Sequence, residues 1–350
     1  MPSTGRTLHN AAALVEAGLV PHDSLADLER VAARYAVAVT PAMADLIQSA
    51  ADPIGRQFVP DVRELDREGG ETSDPTGDDV HSPVPGVVHR YPDRVLLKLT
   101  TICATYCRFC FRRESVGPQS GAPLSREALG NALNYIRQHR QVWEVILSGG
   151  DPLVLSQRRL QHVVARLAAI PHVKVIRVHT RVPVVDPERV TPGLVQALKA
   201  ADKATFVVLH ANHPDELGVA ARAACARFVD AGIPMLSQSV LLRGVNDDPQ
   251  VLGDLMRAFV ECRIKPYYLH HGDLAPGTSH FRTSVAQGQS LMRHLRGRYS
   301  GLCQPTYVLD LPGGHGKSPI GPSYVEPADG ASGHYRIEDF QGRSHVYPPG

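Results

Sequence analysis

Three of the six cysteines, Cys103, Cys107 and Cys110, form a Cys-x3-Cys-x2-Cys run directly after the apolar stretch Val95–Thr100. Thiolates this close on one loop can serve one metal centre. A structural zinc ion wants four closed ligands, usually as two separated pairs. Here no second Cys-x2-Cys follows, and no histidine lies between residues 103 and 113. An iron–sulfur cluster takes thiolates as soft ligands, and three of them on a cubane leave one iron open to a non-protein ligand. The missing fourth cysteine therefore suits a catalytic cluster better than a structural ion. Cys225, Cys262 and Cys303 stand alone and read as small buried hydrophobes. An even cysteine count does not imply disulfides in a long chain without a secretory signal.

Two glycine-rich stretches could also do chemistry. Ser148-Gly149-Gly150-Asp151 follows a second apolar run; alone, such a Gly-Gly pair commonly just turns the chain. Pro312-Gly-Gly-His-Gly-Lys317-Ser-Pro319 ends in Gly-Lys-Ser, which invites a phosphate-loop reading. However, the first glycine of that motif would fall at Leu311, and Pro319 and Pro322 deny it the helix it must open. A lysine on such a loop can instead form a Schiff base, because glycines let the backbone approach a planar cofactor. The competing reading is a solvated loop lysine.

These residues need a frame. From about residue 95 onward, β-rich apolar runs (Val95–Leu99, Trp143–Leu147, Val173–Val178, Thr205–Leu209, Pro234–Val240, Pro266–Leu269) alternate with helical stretches (Ser125–His139, Ser156–Ala169, Thr191–Ala200, Val219–Ala231, Pro249–Val260). Ser125, Ser156 and Thr191-Pro192 are helix-start signals. Such alternation implies a parallel sheet with right-handed crossovers. The expected fold class is α/β, with a partial (β/α)6 barrel favoured over a doubly wound open sheet; in both, chemistry belongs at the carboxyl ends of the strands. Residues 1–66 read as an N-terminal helical region, with Ser24 capping one helix and Thr40-Pro41 starting another. Residues 67–94 read as a linker or covering segment, since Arg67–Pro85 is rich in Gly, Asp and Pro and lacks periodicity. Residues 95–300 form the barrel, and residues 301–350 a C-terminal segment bearing Lys317.

Composition narrows the class. The 350 residues carry 37 Lys+Arg against 35 Asp+Glu, and 43% are hydrophobic, enough for a sizeable core and against wholesale disorder. Near-neutral charge removes the electrostatic footprint of a nucleic-acid binder. No apolar run approaches the ~18 residues that span a bilayer, and Glu16 interrupts the apolar N-terminal patch. A cytoplasmic enzyme without nucleic-acid or membrane partners is expected.

The cysteine run after the first barrel strand resembles the radical S-adenosylmethionine (SAM) superfamily. There a [4Fe-4S] cluster binds SAM at its open iron, and one electron cleaves SAM to a 5′-deoxyadenosyl radical. Ser148, Gly149, Gly150 and Asp151 are similar to that superfamily's SAM-contacting element. His89-Arg-Tyr-Pro-Asp-Arg94, the Ser237–Asn246 stretch (SQSVLLRGVN) and the Lys317 loop together resemble the lysine 2,3-aminomutase family, over roughly Asp52 to Val325. That resemblance implies that Lys317 anchors pyridoxal 5′-phosphate (PLP), with Arg90 and Arg94 near it, and that Gln238 lies among the cofactor-binding residues. It implies that Arg112 grips the substrate carboxylate, while Asp273 and Asp310 hold the ε-ammonium of lysine. Two carboxylates in a dry pocket would select a distal cation. The implied activity is transfer of the 2-amino group of L-lysine to C3, with a one-electron reductant of flavodoxin or ferredoxin type as partner and room for a homo-oligomer.

Departures from the family pattern matter. Longer members bind structural zinc through a cysteine-rich tail and a cysteine where this chain has Asp248. No zinc is expected here. His270 stands where many members have a tyrosine. The length resembles a shorter branch whose members supply (R)-β-lysine for elongation factor P. That alternative, an aminomutase for another amino acid, and an iron–sulfur electron carrier without SAM chemistry are the competing readings.

Overall fold

A computed structural model of the chain describes residues 5–121, 123–200, 202–328 and 333–348. The ends of the expected N- and C-terminal regions, residues 1–4 and 349–350, lie outside these, as do residues 329–332. Nine strands form one sheet in chain order: β1 (Val87–Tyr91), β2 (Arg94–Thr100), β3 (Glu144–Gly149), β4 (Val175–Thr180), β5 (Ala204–His210), β6 (Met235–Val240), β7 (Ile264–His270), β8 (Thr306–Leu311) and β9 (Gly316–Pro319). Neighbours from β2 to β8 are parallel. The outer pairs, β1 with β2 and β8 with β9, are antiparallel hairpins.

Helices Arg126–Gln138, Gln157–Ala168, Pro192–Leu198, Val219–Asp230 and Pro249–Glu261 connect the parallel strands at the expected positions. Ser125 and Ser156 accept from Ala128 N–H and Arg159 N–H at 3.0 and 3.3 Å, and Thr191 accepts from Leu194 N–H at 3.2 Å. Each thereby satisfies an orphan donor of a helix's first turn. Asp248 caps Pro249–Glu261 in the same way, accepting from Gln250 N–H and Val251 N–H.

The structure adds elements that periodicity did not separate. Helix Val285–Leu295 leads to β8, a seventh parallel strand beyond the six expected. The Lys317 stretch is itself strand β9. The sheet also curls until its edges meet: the Lys317 backbone N–H on β9 donates to the Tyr91 hydroxyl on β1, 2.7 Å away. A single cavity touches residues from all nine strands, which a flat doubly wound sheet would not allow. The fold is a nearly closed barrel.

The N-terminal region is less helical than expected, with short helices at Ala11–Glu16, Leu25–Ala32, Pro41–Ala44 and Gly55–Phe58. Ser24 does not cap Leu25–Ala32; its hydroxyl donates to Pro21 C=O within a preceding 3-10 turn. Thr40-Pro41 starts a single helical turn, and the Thr40 hydroxyl donates to Val185 C=O instead of capping. Of the segment 67–94 expected to be a linker or cover, residues 67–85 cover the barrel, whereas Val87–Tyr91 is edge strand β1 and Arg94 begins β2. A Cβ on Gly77 would lie 2.5 Å from Gly314 N, and His81 Nε2 is 3.0 Å from Gly314 C=O, so the covering segment lies directly on the Lys317 hairpin. A small second sheet, β10 (Val325–Pro327), β11 (Tyr335–Glu338) and β12 (Ser344–Tyr347), follows.

Candidate active site

The barrel encloses a cavity of about 290 Å3, and every site candidate named from the sequence lines it: Cys103, Cys107, Cys110, Ser148, Gly149, Gly150, Asp151, Arg90, Arg94, Gln238, Arg112, Asp273, Asp310 and Lys317. Residues more than 200 positions apart in sequence thus share one chamber.

The cysteine loop leaves β2 and is held from both sides. On the N-terminal side, Thr105 Oγ1 and Tyr106 N–H both donate to Ala38 C=O, and Arg108 N–H donates to Gln57 C=O at 2.8 Å. On the barrel side, Gly150 N–H donates to Thr100 C=O at 2.6 Å and Asp151 N–H to Ile102 C=O at 2.9 Å. Gly149 has φ +119°, and a Cβ on Gly150 would fall 2.3 Å from Ile102 O. The glycines are required because the turn after β3 lies flush against the start of the cysteine loop. The Asp151 carboxylate is fully engaged, accepting from Thr180 Oγ1, Arg181 N–H and Leu153 N–H. Its side chain ties the β3 and β4 ends together.

All three cysteines are free thiols. Burial pushes the Cys110 thiol up to about 11, reinforced by Cys107, and burial with Asp151 and the other thiols pushes Cys103 well up. Thiolates here need a cation to compensate them. Among the described residues no three His, Cys, Asp or Glu side chains converge closely enough to hold a single ion. A cubane presents its irons at separate corners, so three thiolates need not meet at one point. The donor set fits a thiolate-bound cluster.

Lys317 and Asp310 face each other across β8 and β9 in register. Lys317 Nζ donates to both Asp310 oxygens, at 2.7 and 2.8 Å, and His270 Nδ1 lies 3.4 Å from Asp310. Burial alone would raise the Asp310 carboxyl, but the His270 hydrogen bond and the Lys317 ammonium outweigh it and hold it far below the usual carboxylate range. Among the described residues Asp273 has no such partner: burial, then the Asp310 carboxylate, push it up to about 7. Across the cavity, Arg112 Nε and Nη2 donate to Asp78 at 3.0 and 2.9 Å, while Arg90 Nη2 donates to the other Asp78 oxygen at 3.0 Å. Arg94 lies over the Tyr91 ring at 3.8 Å and pairs with Asp93, a more exposed position. Gln238 on β6 is the register neighbour of His210 on β5.

Sequence reasoning missed four of these residues. Asp78, only 5% exposed, sits in the aperiodic covering segment, where nothing marks one aspartate above its neighbours. Arg181 directly follows β4, and its position at a strand's carboxyl end was a usable signal. His179 and His210 line the cavity with ring centroids 5.6 Å apart and are held neutral by burial, His210 at about 3. Their Nε2 atoms, with Arg90 Nε and Arg181 Nε, are buried without a hydrogen-bond partner among the described residues. Unspent donors and acceptors around one cavity fit polar cofactors.

Comparison with known proteins agrees with this geometry. Residues 97–255 match the radical SAM superfamily model. The chain is 45% identical to an L-lysine 2,3-aminomutase of Clostridium subterminale over 291 residues, covering 83% of this chain and 70% of that one. It is 46% identical to an L-lysine 2,3-aminomutase of Acetoanaerobium sticklandii, with the same coverage. A glutamate 2,3-aminomutase of Clostridioides difficile is 35% identical, over 85% of this chain and 70% of that one.

Proposed function

The chain belongs to the L-lysine 2,3-aminomutase family and carries a radical SAM domain; from that premise we propose that it moves the 2-amino group of L-lysine to C3, giving β-lysine. In this reading Cys103, Cys107 and Cys110 hold a [4Fe-4S] cluster, the Gly149–Asp151 turn and Gln238 border SAM, and Lys317 anchors PLP. Bound there, these groups supply what side chains lack: one-electron chemistry that breaks an unactivated C–H bond, and a conjugated ring that carries an amino nitrogen between neighbouring carbons. A flavodoxin- or ferredoxin-type reductant is the matching partner.

The chain's own residues bind and orient. Arg112 presents a guanidinium fork, already aligned by Asp78, to the substrate carboxylate. Asp310 and Asp273 take the distal ammonium. The observation that carries this assignment is Asp310 gripping a primary alkylammonium, that of Lys317, with both oxygens inside the same cavity as the cysteines. A pocket built this way disfavours glutamate, whose distal group would meet two carboxylates.

The test is anaerobic incubation of reconstituted protein with SAM, PLP, a reductant and isotopically labelled L-lysine, followed by NMR. β-Lysine should appear, and Asp310→Asn should depress kcat/KM for lysine by at least about 30-fold, as loss of one partner of a desolvated charge pair costs ~2–5 kcal/mol. Turnover of glutamate in place of lysine, or unchanged kinetics in Asp310→Asn, would refute the substrate assignment.

A further inference from the structure

We propose that Arg181 raises the reduction potential of the iron–sulfur centre through a hydrogen bond to Cys107, with Glu216 as the buried counter-charge that holds the guanidinium in place. This rests on the reading that Cys103, Cys107 and Cys110 carry the cluster. Arg181 Nη1 donates to Cys107 Sγ at 3.1 Å. Its Nη2 donates to Gln57 Oε1 at 3.1 Å and to Glu216. Its backbone N–H donates to Asp151 at 2.7 Å, so the residue is fixed at both ends. The rings of Phe58 and Phe109 lie 5.0 and 5.4 Å from the guanidinium carbon.

Glu216 cannot drift with the arginine. It is 1% exposed and also accepts from Asn212 N–H, His213 N–H and Gln57 Nε2, at 2.8, 3.0 and 3.2 Å. A buried ion pair is weak evidence for stability, because desolvation offsets most of its Coulomb energy. Its placement against a ligand thiolate calls for another account. A cationic donor on a thiolate sulfur withdraws electron density and favours the more negative, reduced cluster; hydrogen bonds to sulfur and local charge are the protein's main levers on such potentials. Low surrounding dielectric strengthens the effect. Arg181 is thus a positioning and tuning residue that acts through Cys107, at the step where one electron must enter.

The experiment is an EPR-monitored redox titration of the anaerobically reconstituted full chain. Replacing Arg181 alone would strand Glu216, so the double variant Arg181→Gln/Glu216→Gln removes both charges together. We expect parental iron content and an about tenfold lower ratio of reduced to oxidised cluster at the same ambient potential, a downward shift of about 59 mV for a one-electron couple. Arg181→Lys keeps a charge, but a single ammonium cannot span Cys107, Gln57 and Glu216; a smaller shift in the same direction is expected. If circular dichroism finds the double variant unfolded, the lysine variant decides by the same criterion. Parental iron with an unchanged or higher potential overturns the proposal. Cys107→Ser tests the reading beneath it: retention of the parental iron content and EPR signal would show that the cluster lies elsewhere, whatever Arg181 does.

Discussion

Asp310 and Asp273 share one cavity but differ in partner. Asp310 is paired with the Lys317 ammonium and hydrogen-bonded by His270, whereas Asp273 faces Asp310 and Asp78, with Lys317 and Arg112 as the nearby cations, and is pushed up to about 7. The sign follows. A carboxyl raised above its unfolded value binds a proton on folding, so its contribution disfavours the folded state as pH rises from about 4 to 7. An incoming ammonium reverses that preference by stabilising the carboxylate. Affinity for a cationic substrate should therefore weaken as pH falls below about 7, and Asp273→Asn should flatten the dependence. Dissociation constants for 6-aminohexanoate, measured calorimetrically between pH 5.5 and 8 on the PLP-loaded protein, check this. Parallel pH profiles for parent and variant would refute it.

At the scale of elements, the site depends on a contact between two turns. The turn after β3 and the start of the cysteine loop exchange backbone hydrogen bonds through Gly150, Asp151, Thr100 and Ile102. No side chain fits between them, since a Cβ on Gly150 would meet backbone atoms of Ile102 at 2.3 to 2.8 Å. Gly150→Ala must push the loop away. Overpacking of this kind costs about 1–3 kcal/mol, and the loss should appear both in urea denaturation and as fewer irons bound per chain after reconstitution. Full iron loading with parental stability would mean that the loop tolerates the displacement.

For the whole molecule, the N-terminal region acts as a buttress. Glu64, fully buried, accepts from Arg108 Nε at 2.9 Å and pairs with Arg113 as well. Arg108 also donates to Ala36 C=O and Arg113 to Gly277 C=O, so one carboxylate joins the N-terminal segment, the cysteine loop and the loop after β7. Burial would raise Glu64, but Arg108 and Arg113 outweigh it and hold it below its ordinary value. This stability is present above the unfolded carboxyl's pKa and is lost as pH falls through the folded one. Glu64→Ala leaves two guanidinium groups buried without their partner and should cost ~3–5 kcal/mol in chemical denaturation. A change under 1 kcal/mol would show that the triad is not a structural joint.

The chain's local pattern was enough to place the cysteine loop, the Gly-Gly-Asp turn and five connecting helices, because thiol spacing, capping residues and strand–helix alternation are written within a few residues of one another. It did not reveal β8 and β9 as strands, since Tyr307–Leu311 and Gly316–Pro319 look like approaches to a glycine loop until the sheet's other edge is there to pair with. Nor could it show that Asp78 aligns Arg90 and Arg112, that Arg181 reaches Cys107, or that Glu64 joins three segments. Those are contacts between residues 12 to 164 positions apart, made only when the sheet curls and the covering segment closes over it. Periodicity and motif spacing are properties of neighbours along the chain. Charge partners and tight approaches belong to the closed barrel, where desolvation makes each buried group find whatever the fold brings to it.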